Sequence, residues 1–243
     1  MTTWSKLTNP PIVEGLIDLH LKGPVQVEMD ALKAMADRYA GEYPSREPLS
    51  HWTAQIHITP EAQPTSTTTQ EPSGWRLRSV NDKWVVQLRR DALTVSRLEP
   101  YKAWEDLLAK TQEWWIRHRE VSGSNPVTRV ASRFINRVPL PQGEPFETTF
   151  RTMFALGPNI PTVIRDYFLR VTIPFQQAGA TAVVTQFLEP PQGDACILDI
   201  DVFVDRPEGV SDTETWQLLE ALHRIKNELF FNSLTTTALQ RFQ

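Results

Sequence analysis

The chain has 243 residues, of which 40% are hydrophobic and 22% charged, and its formal net charge is −4. A chain of this size can bury a substantial core without metal or disulfide staples, and its acidic balance argues against strong general affinity for nucleic acid. Cys196 is the single cysteine, which excludes an intrachain disulfide, and its apolar run 195–200 predicts a buried, reduced thiol. No secretory signal pattern and no apolar stretch of about 18 residues occurs, so we expect a cytoplasmic protein without membrane contact.

The first half of the chain predicts a strand, a helix, a run of strands and a long helix. Alternation of apolar and polar residues predicts the strands, and apolar residues at helical spacing from Met29 to Tyr39 predict a helix that ends near Gly41. A stretch rich in Pro, Thr, Ser and Gln predicts a flexible loop. The predicted segments are a strand at 12–22, the helix, a strand at 51–59, the loop at 60–73, strands at 74–80, 83–89 and 92–98, and a helix beginning at Pro100 and ending near Ser122.

The second half of the chain repeats this order. Its opening strand is predicted at 128–140 and is followed by a weaker helix around 146–156. Ser211 and Glu214 form a capping box that predicts the start of the last helix. The remaining segments are strands at 165–174, 180–188 and 195–205, and the buried stripe of that helix is Leu218, Leu222, Ile225 and Leu229.

Antiparallel hairpins followed by helices predict an α+β protein. We expect one integrated domain, 1–243, made of two pseudo-repeated β-α-β(3-4)-α units at about 9–122 and 126–235, because each half alone would have a thin core and their connection is very short. Such units would form one continuous curved antiparallel sheet with helices packed on one face. By topology this is similar to the helix-grip or TATA-binding-protein-like arrangement.

Separate blocks of sequence resemble a family of uncharacterised proteins that are sporadically distributed in bacteria and archaea. The blocks are NPPIVE at 9–14, SRL at 96–98 with Tyr101 and Trp104, RFINR at 133–137, LDID at 198–201, and Phe230 with Phe231. The resemblance spans residue 9 to about 235 and implies no reaction, substrate or catalytic residue. The patchy distribution of the family suggests mobile or defence-linked genes.

Arginines recur on the predicted strands and form the candidate binding face. Guanidinium groups make paired hydrogen bonds to oxyanions, so such a face could bind phosphates or an acidic protein segment. The alternative is cross-strand pairing with Asp18, Asp199 and Asp201. The arginines are Arg129, Arg133 and Arg137, with Arg76, Arg78, Arg89 and Arg170 on other strands.

Asp199, Asp201 and Asp205 lie on one side of the last predicted strand, where a carboxylate row could hold a divalent cation. The competing interpretation, which we favour, is pairing with neighbouring arginines. No histidine has zinc-ligand spacing and no phosphate-binding or nucleophile motif occurs, so no metal, cofactor or catalytic residue is predicted.

Aromatic residues on the long helices have two interpretations. Trp104, Trp114 and Trp115 could stack on nucleic-acid bases, but their helical spacing favours packing against the sheet. Phe230, Phe231 and Leu234 extend the apolar stripe of the last helix. We expect them to pack within the chain, with a homodimer contact as the alternative.

Three functional hypotheses follow. The first is a cytosolic, non-enzymatic binding protein that engages a protein partner through the charged sheet face, as part of a defence or toxin-control system with its partner encoded nearby. The second is nucleic-acid binding through the arginine stripe. The third is a Mg²⁺-dependent phosphoesterase in which Asp199 and Asp201 hold the metal, with a further ligand from Glu14 or Asp18.

Overall fold

A computed structural model provides the structure of the protein. It describes residues 4, 6–23, 27–57, 65–152, 157, 166–189 and 193–243. Four predicted segments lie partly outside the described residues: 58–59 of the strand predicted at 51–59, 60–64 of the predicted loop, 153–156 of the weak helix, and 165 of the strand predicted at 165–174.

The described residues form an α+β fold with one large antiparallel sheet and a few helices. The strands are β1 (Ile12–Leu21), β2 (Ser45–His57), β3 (Thr65–Arg78), β4 (Trp84–Arg89), β5 (Ala92–Leu98), β6 (Val127–Pro139), β7 (Phe168–Phe175), β8 (Ala180–Leu188) and β9 (Ala195–Val210). The helices are α1 (Met29–Arg38), α2 (Trp104–Ser122), α3 (Asp212–Ser233) and α4 (Thr236–Gln240).

The nine described strands belong to a single sheet in the order β2-β3-β4-β5-β1-β6-β9-β8-β7. The opening strands of the two halves, β1 and β6, therefore pair with each other at the centre of the sheet. The later strands of the first half lie on one side of this pair and those of the second half on the other. Both halves thus contribute to one continuous sheet.

Helices α2 and α3 pack on the same face of this sheet. The ring of Phe134 on β6 lies near Trp104 of α2 and His223 of α3, with centroids 6.4 Å away in both cases. Helix α1 joins the same layer because Tyr39 and Tyr43, which directly follow it, contact Trp114 of α2 edge-on. The core lies between these helices and the alternate, inward-facing residues of the strands.

The tryptophans of α2 confirm the packing interpretation. Trp104, Trp114 and Trp115 are all buried, and the Nε1 of Trp114 donates a hydrogen bond to the Tyr43 hydroxyl at 3.1 Å. A ring enclosed in this way is not available to stack on a nucleic-acid base. The Cys196 thiol is also buried as predicted, and burial raises its pKa to about 12.

The predicted loop at 60–73 is wrong for residues 65–73, which belong to β3. This segment is rich in threonine, a β-branched residue suited to strands, and it pairs with β2 as far as His57 opposite Thr65. Strand β4 pairs only with residues 74–78 of β3. The remaining part of the β2–β3 hairpin therefore extends beyond β4 as a two-stranded arm, which composition alone describes as a loop.

Two helix predictions also differ from the structure. Pro100 does not lie in the first turn of α2, because the helix begins four residues later, at Trp104. In the predicted helix at 146–156, the described residues contain only a 3-10 turn at Phe146–Thr148, and Phe150 forms a β-bridge with Leu234. Tertiary pairing with the end of α3 replaces helical structure at that point.

The C-terminal region follows its predicted signals. Ser211 caps α3, since its hydroxyl accepts a hydrogen bond from the Glu214 backbone N–H at 3.3 Å. Phe230 and Leu234 are buried within the chain, and Phe231 stacks on Trp4 at 4.7 Å. Intramolecular packing of this stripe is confirmed, and α4 is an additional helix that the sequence analysis missed.

Gly15 of β1 gives a first test of the sheet centre. It lies opposite Phe134 of β6, and a Cβ atom there would come within 2.7 Å of the Phe134 ring and 3.0 Å of the Tyr101 ring. We expect Gly15→Ala to lower the free energy of unfolding by about 1–3 kcal/mol because both rings must move. Chemical denaturation measures the change.

Gly41→Ala is the matched control, because no atom lies within 4 Å of its added Cβ. Its free energy of unfolding should be unchanged or rise by less than about 1 kcal/mol. Equal destabilisation by the two substitutions would contradict the close packing of Phe134 over Gly15.

Candidate functional site

The predicted arginines lie on one face of the sheet. Residues directly opposite each other on paired strands, or two apart on one strand, point to the same side of a sheet. By this rule the arginines share the side of Asp18 on β1, which lies opposite Thr94 of β5 and Ala131 of β6. This is the open face, the side of the sheet opposite the one on which the described helices α1, α2 and α3 pack. The residues concerned are Arg76 and Arg78 on β3, Arg89 on β4, Arg129, Arg133 and Arg137 on β6, and Arg170 on β7.

Arg133 forms the strongest ion pair of the open face. Its Nε donates to Asp199 Oδ1 at 2.8 Å and its Nη2 to Oδ2 at 2.5 Å, a two-pronged geometry. These hydrogen bonds raise the pKa of Arg133 despite its partial burial. Asp199 lies diagonally across the strand pair, because the residue directly opposite Arg133 is Asp201.

Arg129 and Arg137 are also compensated by carboxylates. The Nη1 of Arg129 donates to Asp205 at 3.0 Å, and its guanidinium lies 3.8 Å from the Phe203 ring centroid. The Nε of Arg137 donates to Glu189 at 2.7 Å. Together with Arg133, these contacts bear out the cross-strand pairing of the stripe with acidic residues, although the partners of Arg137 were not predicted.

Asp18 is the centre of a second polar cluster on the open face. Its carboxylate accepts hydrogen bonds of 2.6 Å from Arg89 and from the Thr94 hydroxyl, and His20 Nε2 lies 2.6 Å from its other oxygen. Burial acts to raise the pKa of Asp18, but the hydrogen bond to His20 and the charges of His20 and Arg89 hold it below its usual value. The cluster therefore keeps a half-buried carboxylate ionised.

The outer strands differ from this compensated centre. Arg78 approaches Asp82 only at 3.7 Å, and neither Arg76 nor Arg170 has an ion-pair partner among the described residues. Near Arg170, Phe168 is 67% exposed and stacks on Phe187 with centroids 6.4 Å apart. The open face thus has a charge-balanced centre and an aromatic patch with a free arginine at its β7–β8 edge.

The acidic row does not form a metal cluster in the described part of the chain. Asp199 is occupied by Arg133, and no group of three or more potential ligands converges in the described ranges. Burial raises the pKa of Asp201, while Arg129 and Arg133 oppose the shift. The third ligand that the phosphoesterase hypothesis required from Glu14 or Asp18 is not brought to this row.

A cavity lies on the helix-covered side of the sheet and was not predicted. Its volume is about 340 Å³. It is enclosed by the segment that precedes β1, by the segment that leads into α2 and by the C-terminal half of α3. The residues that define it, here called the Lys226 cavity, are Tyr101, Trp104, Asn136, His223, Lys226 and Phe231.

Lys226 is the unusual residue of this cavity. Only 6% of the residue is exposed, and burial lowers its pKa to about 7. Its Nζ donates to Asn227 Oδ1 at 2.6 Å and lies 3.9 Å from the Phe134 ring centroid. No salt bridge to Lys226 occurs in the described part of the chain.

His223 lies one turn before Lys226 and stacks on Trp104 with centroids 4.2 Å apart. Burial, with a smaller contribution from the Lys226 charge, lowers its pKa to about 3, so the imidazole is neutral at pH 7. Its Nε2 lies 3.1 Å from Asn227 Nδ2, which makes Nε2 the acceptor and leaves the proton on Nδ1. Among the described residues, neither that buried Nδ1 nor the buried Tyr101 hydroxyl has a hydrogen-bond partner.

Neither His223 nor Lys226 was predicted from the sequence to form a site. One signal could have identified the cavity: Lys226 is four residues after Leu222 and adjacent to Ile225. A charged residue on the buried stripe of an amphipathic helix violates the pattern that predicts the helix.

Comparisons with known proteins add little. No protein-family model and no curated protein matches the chain. Among solved structures, a similar chain is that of DynU16, a protein in the dynemicin biosynthetic locus, with 14% identity over 95% of this chain and 99% of that chain and a TM-score of 0.23. A similarity of this size supports no argument. Among the described residues, no helix has the length and apolar character to cross a membrane.

The Arg133–Asp199 pair can be tested by substitution. Arg133→Met leaves a carboxylate that is only 15% exposed without its two donors, and we expect the free energy of unfolding to fall by about 1–3 kcal/mol. Arg76→Met, which breaks no ion pair among the described residues, should change it by less than about 0.5 kcal/mol. If both variants match the wild type in urea denaturation, the pair does not stabilise the sheet.

The pH dependence of stability tests the burial of Lys226. Because its pKa is about 7 in the folded state and 10.5 as a free side chain, the unfolded chain binds more protons between these values, so wild-type stability rises with pH across this window. Lys226→Met removes this dependence. In denaturation curves, the excess of the variant's free energy of unfolding over that of the wild type should fall by about 2 kcal/mol between pH 7 and pH 9. If this excess is the same at both pH values, Lys226 is not a buried lysine with a lowered pKa.

Proposed function

We propose that this is a cytosolic, non-enzymatic binding protein that engages a protein partner through the open face of its sheet. The observation that carries the proposal is the exposed Phe168 beside Arg170, at the edge of the open face of the sheet. Aromatic residues and arginine are the residue types enriched at the centres of protein interfaces.

The balanced charges favour a protein partner over nucleic acid. Arg129, Arg133 and Arg137 are each within hydrogen-bond distance of a carboxylate, so a phosphate backbone would have to displace these partners and would meet their negative charge. A protein surface can offer charges of both signs in register with such an array. Nucleic-acid binding through the stripe remains the second hypothesis, and a magnesium-dependent phosphoesterase is the least supported.

The cellular setting is part of the same proposal. The sequence blocks that resemble the sporadically distributed bacterial and archaeal family suggest a defence or toxin-control system, in which the partner would be encoded nearby. Homodimerisation is an alternative use of the same face. A second copy of the chain would then occupy the surface around Phe168.

We also propose that the two halves are pseudo-equivalent units in a helix-grip or TATA-binding-protein-like arrangement. Support comes from the strand order, in which the first strand of each half lies at the centre, and from the long helix that ends each half, α2 and α3. The second half has no described counterpart of α1. A backbone superposition of 12–122 on 127–233 that leaves the paired strands unmatched would overturn this arrangement.

The partner proposal is tested by affinity capture from the native host at two salt concentrations. We expect a stoichiometric protein to be retained by the wild type and lost with the Phe168→Asp/Arg170→Glu double variant, because a buried charge replaces the aromatic anchor. Ile116→Asp is the matched control, since Ile116 on α2 is also 67% exposed.

Three outcomes contradict the proposal. The first is capture that is equal for all variants, and the second is recovery of the chain itself alone, with a dimer seen by light scattering. The third is recovery of nucleic acid that weakens steeply with salt and is lost with Arg133→Glu/Arg137→Glu, which would favour the second hypothesis.

A further inference from the structure

We propose that the Lys226 cavity binds a small aromatic carboxylate, with the carboxylate facing the Lys226 amine and the ring packed among the aromatic residues of the cavity wall. This site lies on the helix-covered side of the sheet. It is therefore separate from the partner-binding face proposed above and does not depend on it.

Lys226 lacks a counter-charge among the described residues. A buried ammonium group is stable only when it is paired or well hydrogen-bonded. Lys226 has one hydrogen bond to an amide oxygen and one contact with a ring face, and both partners are uncharged. Glu105 also lines the cavity, but it is exposed and forms no salt bridge with Lys226, so a ligand carboxylate would supply the counter-charge that is missing among the described residues.

Two further hydrogen-bond donors lie beside the lysine. The Nδ1–H of His223 and the hydroxyl of Tyr101 are buried and find no hydrogen-bond partner in the part of the chain that the structure describes, and both residues line the cavity. Unpaired buried donors of this kind are uncommon in folded proteins and call for an explanation. A carboxylate has two oxygens and can accept several hydrogen bonds, so one anionic group could satisfy more than one of these donors.

The walls and the volume of the Lys226 cavity fit a small aromatic group. Trp104 is held in place by His223 and by a 3.0 Å hydrogen bond from its Nε1 to Glu220, and Phe231 is held by Trp4. Fixed ring faces of this kind favour a flat, unsaturated group. A volume of about 340 Å³ is at the lower end of the range for ligand sites, which favours a molecule of one or two rings.

A neutral apolar ligand explains the same observations less well. It would fill the volume and contact the rings, but it would leave Lys226 uncompensated and both donors unpaired. A dicarboxylate or inorganic phosphate would compensate the charge but would place further charge against Trp104 and Phe231. The combination of one buried cation, Lys226, with aromatic walls favours a monoanion with a ring.

Isothermal titration calorimetry at pH 6.5 with phenylacetate, phenylacetamide and acetate tests the proposal on the full chain. The amide removes the charge of the probe and replaces one acceptor oxygen by an NH2 donor, and acetate removes the ring. We expect phenylacetate to bind saturably and at least tenfold more tightly than either of the other two. Quenching of tryptophan fluorescence should report the same affinity, because Trp104 lines the cavity.

Variants separate the lysine from general electrostatics. Lys226→Met should lower the affinity for phenylacetate at least tenfold, which corresponds to about 1.4 kcal/mol. Its affinity for phenylacetamide should stay within about twofold of the wild-type value. Lys102→Met is the matched control, because Lys102 lines the cavity but is exposed, and it should change phenylacetate binding less than threefold. Circular dichroism verifies that both variants are folded.

Several results would overturn the proposal. If phenylacetate does not bind saturably, the cavity is not such a site. If phenylacetate and phenylacetamide bind with equal affinity, the charge of the ligand does not contribute to binding. Equal affinity for acetate removes the role of the ring. If the folded Lys226→Met variant binds phenylacetate as tightly as the wild type, Lys226 does not bind the carboxylate. None of these results bears on the partner face, which is tested by Phe168.

Discussion

The antiparallel pairing of β1 with β6 is the contact on which the rest of the structure depends. It places Gly15 opposite Phe134, and the missing side chain at Gly15 leaves space for the Phe134 ring. That ring is then contacted by Tyr101 from one half of the chain and by Lys226 from the other. One pairing therefore joins the halves into a single sheet, sets α2 and α3 side by side and forms part of the wall beside the Lys226 cavity.

Strand geometry separates the two candidate sites. Side chains alternate between the faces of a strand, so Phe134 and its neighbour Arg133 on β6 serve opposite sides of the sheet. Arg133 reaches Asp199 on the open face, where charges of both signs follow the same two-residue period on β6 and β9. The centre of the open face consequently achieves charge balance within the sheet, whereas the cavity behind it contains Lys226, which has no charged partner among the described residues.

Much of the fold could be predicted from local pattern. Alternation predicted β1, β5, β6 and β8 closely, and the capping box predicted the start of α3 at Ser211. The failures occur where non-local pairing decides the structure. Residues 65–73 have the composition of a loop but become part of a strand because β2 pairs with them, and Phe150 pairs with Leu234 instead of extending a helix.

The open face could be predicted from the same alternation that predicts the strands. Side chains two residues apart on a strand point to the same side of the sheet. The cavity could not be predicted in this way, since it depends on a side chain from each of several elements that are distant in sequence. Asn136 lies on β6, Tyr101 precedes α2 and Phe231 is near the end of α3. Sequence spacing predicts contacts within one element but does not predict which elements converge.

The distribution of uncompensated charge then distinguishes structural residues from candidate functional ones. Arg133 is matched by a carboxylate and contributes to sheet stability, so its charge needs no external partner. Arg170 beside Phe168 and Lys226 beside Phe134 have no acidic partner among the described residues, and each adjoins aromatic surface. A buried lysine lowers stability relative to an apolar residue of similar shape, and positions that break a folding rule in this way are typical of binding sites. Arg170 and Lys226 combine an unmatched charge with adjoining aromatic surface, and we therefore expect the protein to meet other molecules at these two residues.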